Sequence, residues 1–292
     1  MLKLSKLTFI LKEYAIRPAK TLGQNFLIDR NIREKIIDAI SVNKEDVIFE
    51  IGAGLGSLTG ELCKRAKKVV AIEKDSRLYE FLLQNCQFNN LELVHGDVLR
   101  YDFGAERKVK VVGNLPYYIS SPILTSLLGK RRFIDTIFVT VQKEFAERLL
   151  AKPGQKACGA ISCFVQFYSE PSFLFTIKKT SFYPSPKVDS CFLKISIRNK
   201  APYPVKESSG KPYLTGEEKL FKIIRASFGK RRKTILNALH SSGIYATKNG
   251  LLHVLESARI DPQRRPETLA LQEFVTLSNM TGDYYDNNQR DS

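Results

Sequence analysis

The sequence predicts an α/β fold, a mostly parallel sheet covered by helices, with a small all-helical domain following it. Two observations predict it. Short β-rich runs alternate with helical patterns through the first two-thirds of the chain, and beyond residue 216 the apolar spacing becomes wholly helical. A β-α-β-α succession calls for right-handed crossovers and a parallel sheet. In order, residues 47–51 read as the first strand, 57–65 as a helix, 69–73 as the next strand and 76–85 as the next helix. Residues 91–94, 108–113 and 136–141 supply further strands, and 142–151 is helical. Residues 171–178 and 190–198 alternate like an antiparallel edge pair joined by a Pro-rich bend. Pro, Ser, Gly and Lys collect at 199–216 without periodicity, which marks a linker or surface excursion. The expected domains are therefore 1–199 (sheet and helices) and 200–280 (helical), with 281–292 a polar, frayed tail.

The 292 residues suit two domains, and 43% apolar with 26% charged composition excludes a disordered chain. Forty-six Lys and Arg against thirty Asp and Glu leave a net charge of +16. A surface that basic favours a polyanion, either nucleic acid or an acidic membrane face. Five cysteines, an odd number without a CxxC pair, fit a reducing cytoplasmic compartment and not a disulfide framework. His95, His240 and His253 stand too far from one another and from any Cys for a structural metal site, so no metal is expected. Lys6, Lys12 and Glu13 interrupt the apolar start, so no signal peptide is expected. The charge-free run 111–129 contains Asn114, Pro116 and Pro122, which suit a strand, a loop and a helix better than a membrane span.

Glycines cluster at Gly52, Gly54 and Gly56, where the first strand ends and a helix begins. They let the backbone turn sharply and a ligand approach closely. The spacing is GxGxG, with Ser57 where a dinucleotide fingerprint needs its third Gly. Glu73 ends the second strand, where a carboxylate can accept both hydroxyls of a ribose. Together these predict an adenosine-type ligand and leave NAD and S-adenosylmethionine both open. Asp97 follows the third strand and could accept from an adenine amine; taken alone it reads more readily as a turn or cap residue.

Asn114-Leu115-Pro116-Tyr117 follows the fourth strand at the same sheet edge. The lone pair of an exocyclic adenine amine is delocalised into the ring, which makes the nitrogen a poor nucleophile. An Asn oxygen and a neighbouring backbone carbonyl can accept the two amine hydrogens and favour a pyramidal nitrogen. Proline stiffens the turn, and Tyr117 offers a flat face for an extruded base. No metal is needed, because displacement at a sulfonium is chiefly a positioning problem.

Across nearly its whole length the chain resembles the ribosomal small-subunit RNA adenine N6-dimethyltransferases. The matching segments are TLGQNFLID (21–29), FEIGAGLGSLT (49–59), the strand ending in Glu73, GDVL (96–99), GNLPYYISSPI (113–123), QKEFAERL (142–149), SFYPSPKVDS (181–190) and ASFGKRRKTILNAL (226–239). The resemblance implies a Rossmann-like S-adenosylmethionine-dependent methyltransferase domain plus a small helical domain. It implies dimethylation of two adjacent adenosines in a hairpin loop near the 3′ end of small-subunit rRNA, during ribosome biogenesis. It carries cofactor contacts onto Asn25, Leu27, Gly52, Glu73, Asp97 and Asn114, and sets Phe182 opposite Tyr117 about the target adenine. Ala53 stands where many members have Pro, and Ala suits the same turn. The stretch before Thr21 receives no role.

Between Lys222 and Lys233 no acid occurs, and Arg225, Lys230, Arg231, Arg232 and Lys233 are expected to meet rRNA phosphates. The KRAKK run at 64–68 reads as a solvated helix end. The expected partner is small-subunit rRNA within a pre-ribosomal particle, with no membrane involved, and the protein is expected to be a monomer. Two other readings stay open: a large-subunit rRNA adenine methyltransferase of the macrolide-resistance type, and a non-catalytic RNA-binding assembly factor on the same fold.

Overall fold

The runs VIFEI and KVVAIE form adjacent parallel strands in which nearly every side chain is buried, as a sheet covered on both faces requires. The computed structural model describes residues 4–16, 18, 23–104, 108–206, 215–230, 232–245 and 247–281. In chain order the elements are α1 (Leu4–Glu13), β1 (Phe26–Leu27), α2 (Arg30–Ile40), β2 (Val47–Ile51), α3 (Thr59–Arg65), β3 (Lys68–Glu73), α4 (Ser76–Asn85) and β4 (Leu91–His95). There follow β5 (Val109–Asn114), α5 (Ser120–Gly129), β6 (Ile134–Gln142), α6 (Lys143–Leu150), α7 (Ala160–Tyr168), β7 (Ser169–Ile177), β8 (Phe182–Tyr183) and β9 (Ser190–Ile197). The chain ends in α8 (Gly216–Phe228), α9 (Ile235–His240), α10 (Lys248–Ser257) and α11 (Leu271–Met280).

The chain divides into two units, residues 1–146 with 169–197, and residues 147–168 with 198–292. In the first, seven strands lie in the order β4-β3-β2-β5-β6-β9-β7. The strands β4 to β6 run parallel, and β9 runs antiparallel to both β6 and β7. The expected antiparallel edge pair is therefore present. Asn114 is the last residue of β5, opposite Thr140, rather than the first residue beyond the strand.

A second, two-stranded sheet is not legible in the sequence. β1 pairs with β8 through Phe26↔Tyr183 and Leu27↔Phe182. Asp29 strengthens this seam. Its Oδ1 accepts from the Asn31 and Ile32 backbone to start α2, while its Oδ2 accepts from Ser181 Oγ at 3.1 Å. The segment GQNFLID is thereby stitched to SFYPSP.

The helical unit is larger than the sequence predicts. A boundary at 199/200 leaves 147–168 with the sheet, whereas these residues cluster with the helices. The cause is aromatic packing: Phe164, Phe167 and Tyr168 of α7 surround Phe221 of α8 at centroid distances of 4.9, 5.4 and 5.4 Å. Tyr168 also donates to Glu217 at 2.7 Å. Residues 207–214 of the expected linker and the tail after Thr281 lie outside the described residues. Among the described residues no helix is long and apolar enough to cross a membrane.

Candidate active site

The carboxyl ends of β2, β3 and β5 open on one cavity. The glycine loop after β2 forms part of its wall, with Gly52, Gly54 and Gly56 at φ of 68°, 59° and 72°. These are left-handed values that side-chain-bearing residues adopt at a cost. Gly56 is also sterically committed, since a Cβ there would lie 2.7 Å from Cys86 Sγ. Gly52, Glu73, Asp97, Asn114, Asn25 and Leu27 all reach the cavity, as do Pro116 and Phe182. The β1–β8 seam explains how residues of two distant segments share this wall.

Glu73 is 6% exposed and nearly saturated. Its Oε2 accepts from Gly54 N, and its Oε1 accepts from Lys74 N and Asp75 N, each at 2.9 Å. A carboxylate offers about four acceptor positions, so the side chain as placed has room on Oε2 for one ribose hydroxyl and not for the expected pair. Burial pushes its carboxyl above the ordinary range, against the three backbone N–H groups that favour the charge. Asp97 accepts from Lys74 Nζ at 2.8 Å and from Leu99 N at 3.0 Å, and the lysine holds its carboxyl below the usual range.

Glu50 is the site residue that sequence reasoning missed. It sits in β2 directly before the glycine loop, 2% exposed, and also lines the cavity. Among the described residues its Oε2 has no hydrogen-bond partner, and burial pushes the carboxyl up to about 8. The available signal was a carboxylate inside an otherwise apolar parallel strand, where a charge is costly unless something answers it. Burial of Cys63, with Glu50 nearby as a second cause, pushes its thiol up to about 12.

Asn114 Nδ2 donates to the Asn25 carbonyl at 2.8 Å, while Oδ1 is buried without a partner. The Asn25 side chain folds back onto Gly23 O at 3.0 Å. Leu115 is 1% exposed and lies away from the cavity lining, with its N–H bonded to Thr140 O at 3.1 Å. Tyr117 does not line the cavity either. It is half-buried, and its hydroxyl pairs with Ser190 Oγ at 2.7 Å. Tyr118, not singled out by the sequence, lines the cavity instead and is 53% exposed. Leu7 of α1 contributes to the wall as well, which gives a structural place to the N-terminal stretch.

The sequence profile of the ribosomal RNA adenine dimethylases matches residues 17–280. The chain belongs to that family. A ribosomal RNA small subunit methyltransferase A from Moorella thermoacetica is 42% identical over 282 residues, covering 92% of this chain and 94% of the relative. The crystal structure of a dimethyladenosine transferase from Plasmodium falciparum matches with a TM-score of 0.70 at 29% identity, over 86% of this chain and 95% of that one. A 23S rRNA methyltransferase matches with a TM-score of 0.65 over 88% of this chain and 99% of that one, but at 23% identity it shares the fold alone. The dimethylase sheet described above is thus the Rossmann-like methyltransferase sheet, and the enzyme is an rRNA adenine dimethyltransferase.

In the helical unit of this dimethylase, Arg225, Lys230, Arg232 and Lys233 are exposed along the end of α8 and the turn before α9. Among the described residues none of the four is paired with an acid in a salt bridge. Arg231 lies outside the described residues.

Proposed function

We propose that this dimethyltransferase takes S-adenosylmethionine into the acid-lined cavity and methylates the N6 amines of two adjacent adenosines in a hairpin loop near the 3′ end of small-subunit rRNA, within a pre-ribosomal particle of the cytoplasm. One observation carries the reading: Asn114 Oδ1, a buried acceptor without a partner, stands on the wall that it shares with Phe182 and the acids. A buried unpaired acceptor costs about 1–3 kcal/mol, and the hydrogens of an amine answer that cost.

Asn25, Leu27, Gly52, Glu73, Asp97 and Asn114 are the residues that would hold the cofactor. Among the described residues the acidic and basic lining consists of Glu50, which burial keeps mostly protonated at neutral pH, with Glu73, Asp75 and Asp97 and a single cation, Lys74. Such a wall suits a ligand carrying a sulfonium and an ammonium better than one carrying a pyrophosphate, which supports S-adenosylmethionine over NAD. When bound, the sulfonium supplies an electrophilic methyl group. Glu73 accepts a ribose hydroxyl, and Asp97, kept ionised by Lys74, accepts from the adenine amine of the cofactor.

On the substrate side, Asn114 Oδ1 and a neighbouring backbone carbonyl accept the two hydrogens of the target amine and turn its lone pair outward. The nitrogen gains a methyl and gives up one hydrogen as a proton. Pro116 fixes the turn, and Phe182 supplies one flat wall for the base. Tyr117 completes the sandwich only by leaving its hydrogen bond to Ser190, so the second half of the base clamp forms when the RNA arrives. Arg225, Lys230, Arg231, Arg232 and Lys233 take up phosphates.

The test is transfer of labelled methyl groups from S-adenosylmethionine to small-subunit particles that lack the dimethylation. Label in the two adjacent adenosines is expected. Label on large-subunit RNA alone would make it a large-subunit enzyme, and no label on either would leave an RNA-binding assembly factor.

A further inference from the structure

We propose that Tyr118 is a stacking platform for the nucleotide next to the adenosine held in the cavity; the proposal rests on the RNA substrate read above. Two consecutive tyrosines follow Pro116 and face different surroundings. Tyr117 is turned in, its hydroxyl on Ser190 Oγ. Tyr118 leaves 53% of its surface to solvent while lining the cavity that Asn114, Pro116 and Phe182 also line. It is among the most exposed large apolar side chains described, and it lies at the site of chemistry.

Its ring is seated. Gly23 has φ +60° and lies under the ring edge, so that a Cβ there would come within 3.2 Å of Tyr118 Cδ1. The backbone two residues on from Gly23 accepts from Asn114 Nδ2 at 2.8 Å. One short loop therefore braces both the exposed ring and the side chain that addresses the amine. Lys74, which lines the same cavity, is close enough to feel the Tyr118 hydroxyl electrostatically. An exposed aromatic that is held in place loses little freedom when a base is laid on it.

RNA chemistry supplies the occupant. Extruding one base into a cavity strips its neighbour of a stacking partner. A flat ring at the rim restores that stack, and a purine gains more from it than a pyrimidine. Two adjacent adenosines would then exchange places: while one occupies the cavity, the other lies on Tyr118. Tyr118 thus contributes to the choice of a purine neighbour, a task that neither Asn114 nor Phe182 can perform from within the cavity.

The experiment uses the full-length protein and a short RNA hairpin whose loop holds an adenosine beside 2-aminopurine, a fluorescent purine quenched on stacking. Wild type and Tyr118→Phe should quench it on binding. Tyr118→Ala should lose the quench and bind the hairpin about tenfold more weakly, within the range for a single base stack. Gly23→Ala, which unseats the ring without removing it, should quench less than wild type. Thermal melts check that Tyr118→Ala is folded, and Tyr118→Phe, which keeps the ring, separates loss of the stack from a disturbed cavity wall. An unchanged quench and affinity in Tyr118→Ala, or no quench in wild type, would overturn the platform. Neither result depends on catalysis; only failure of methyl transfer to the particle would overturn the substrate reading itself.

Discussion

In the sheet-bearing unit, four acids and a single lysine make up the acidic and basic lining of the cavity among the described residues. In the helical unit, the end of α8 and the turn before α9 expose Arg225, Lys230, Arg232 and Lys233. Both belong to a chain of net charge +16. The contrast separates two electrostatic tasks that a net charge merges. A basic surface suits a polyanion, met through many weak, salt-sensitive contacts, whereas acids in a sheltered place suit a small cation, because each charge there counts for more. Between the two tasks stands Asn114, neutral and able to address an amine without adding charge.

Asn114 should give the largest effect. Asn114→Ala removes the acceptor on which the developing pyramidal nitrogen depends, and single-turnover methyl transfer should fall roughly 100- to 1000-fold, the scale seen when one transition-state hydrogen bond is deleted. RNA affinity should hold. A rate within a few-fold of wild type would remove Asn114 from the chemistry and leave the charge comparison standing.

Glu73→Ala comes next and addresses the acid side directly. It strips the acceptor from the N–H groups of Gly54, Lys74 and Asp75 as well as from a ribose hydroxyl. Calorimetry should find S-adenosylmethionine bound about 10- to 100-fold more weakly, the scale of a hydrogen bond to a charged group. A lower melting temperature should accompany the loss, because the glycine loop is fastened by the same side chain. Unchanged affinity would place Glu73 away from the ribose.

Glu50 tests the acid lining through pH. Its folded carboxyl is pushed up to about 8 by burial, while in the unfolded chain it titrates in the ordinary range near 4.5. Between those values the folded state holds a proton that the unfolded state has released. Stability from this group is full below the unfolded value and is lost as pH rises toward about 8, with a limiting slope of about 1.4 kcal/mol per pH unit. Glu50→Gln should flatten that slope in melts taken from pH 5 to 8, and a bound cation should flatten it in wild type. The same slope in Glu50→Gln would show that other groups carry it.

On the basic side, changing Lys230, Arg231, Arg232 and Lys233 together to Ala should weaken particle binding several-fold at moderate salt. Its log–log salt slope should flatten by about 0.7–0.9 for each lost phosphate contact, with cofactor affinity unchanged. A folded variant with the wild-type affinity and slope would take this turn out of the RNA interface.

What could be read from sequence follows the reach of each signal. β2, β3 and the glycine loop are local patterns, so their place and the direction of Glu73 were legible. The β1–β8 seam was not, because two-residue strands have no period and their partners lie far apart in the chain. α7 was assigned to the sheet because chain order hides that Phe164, Phe167 and Tyr168 pack on Phe221. Glu50 passed as part of an apolar run. For Tyr117 and Tyr118, adjacency on the chain cannot decide which ring turns in, since that depends on Ser190 and Gly23.

Lys74 gives the smallest effect and the finest discrimination. It is the one cation of the cavity lining among the described residues, its side chain is 55% exposed, and it pairs with Asp97 at 2.8 Å. Lys74→Ala sets two consequences against each other. Losing the ion pair frees Asp97 to wander, which weakens its hold on an adenine amine. Losing the positive charge makes the cavity more negative, which attracts a sulfonium and an ammonium. An exposed pair of this kind is worth only about 0.2–1 kcal/mol, and Leu99 N still fixes Asp97 Oδ1 at 3.0 Å, so the gain in attraction should win. S-adenosylmethionine should bind roughly two- to fivefold more tightly at low salt, and the difference should fade as salt screens the cavity mouth. Weaker binding at every salt concentration would mean that Lys74 works as the brace of Asp97, and that the acids hold the cofactor by oriented hydrogen bonds rather than by their field.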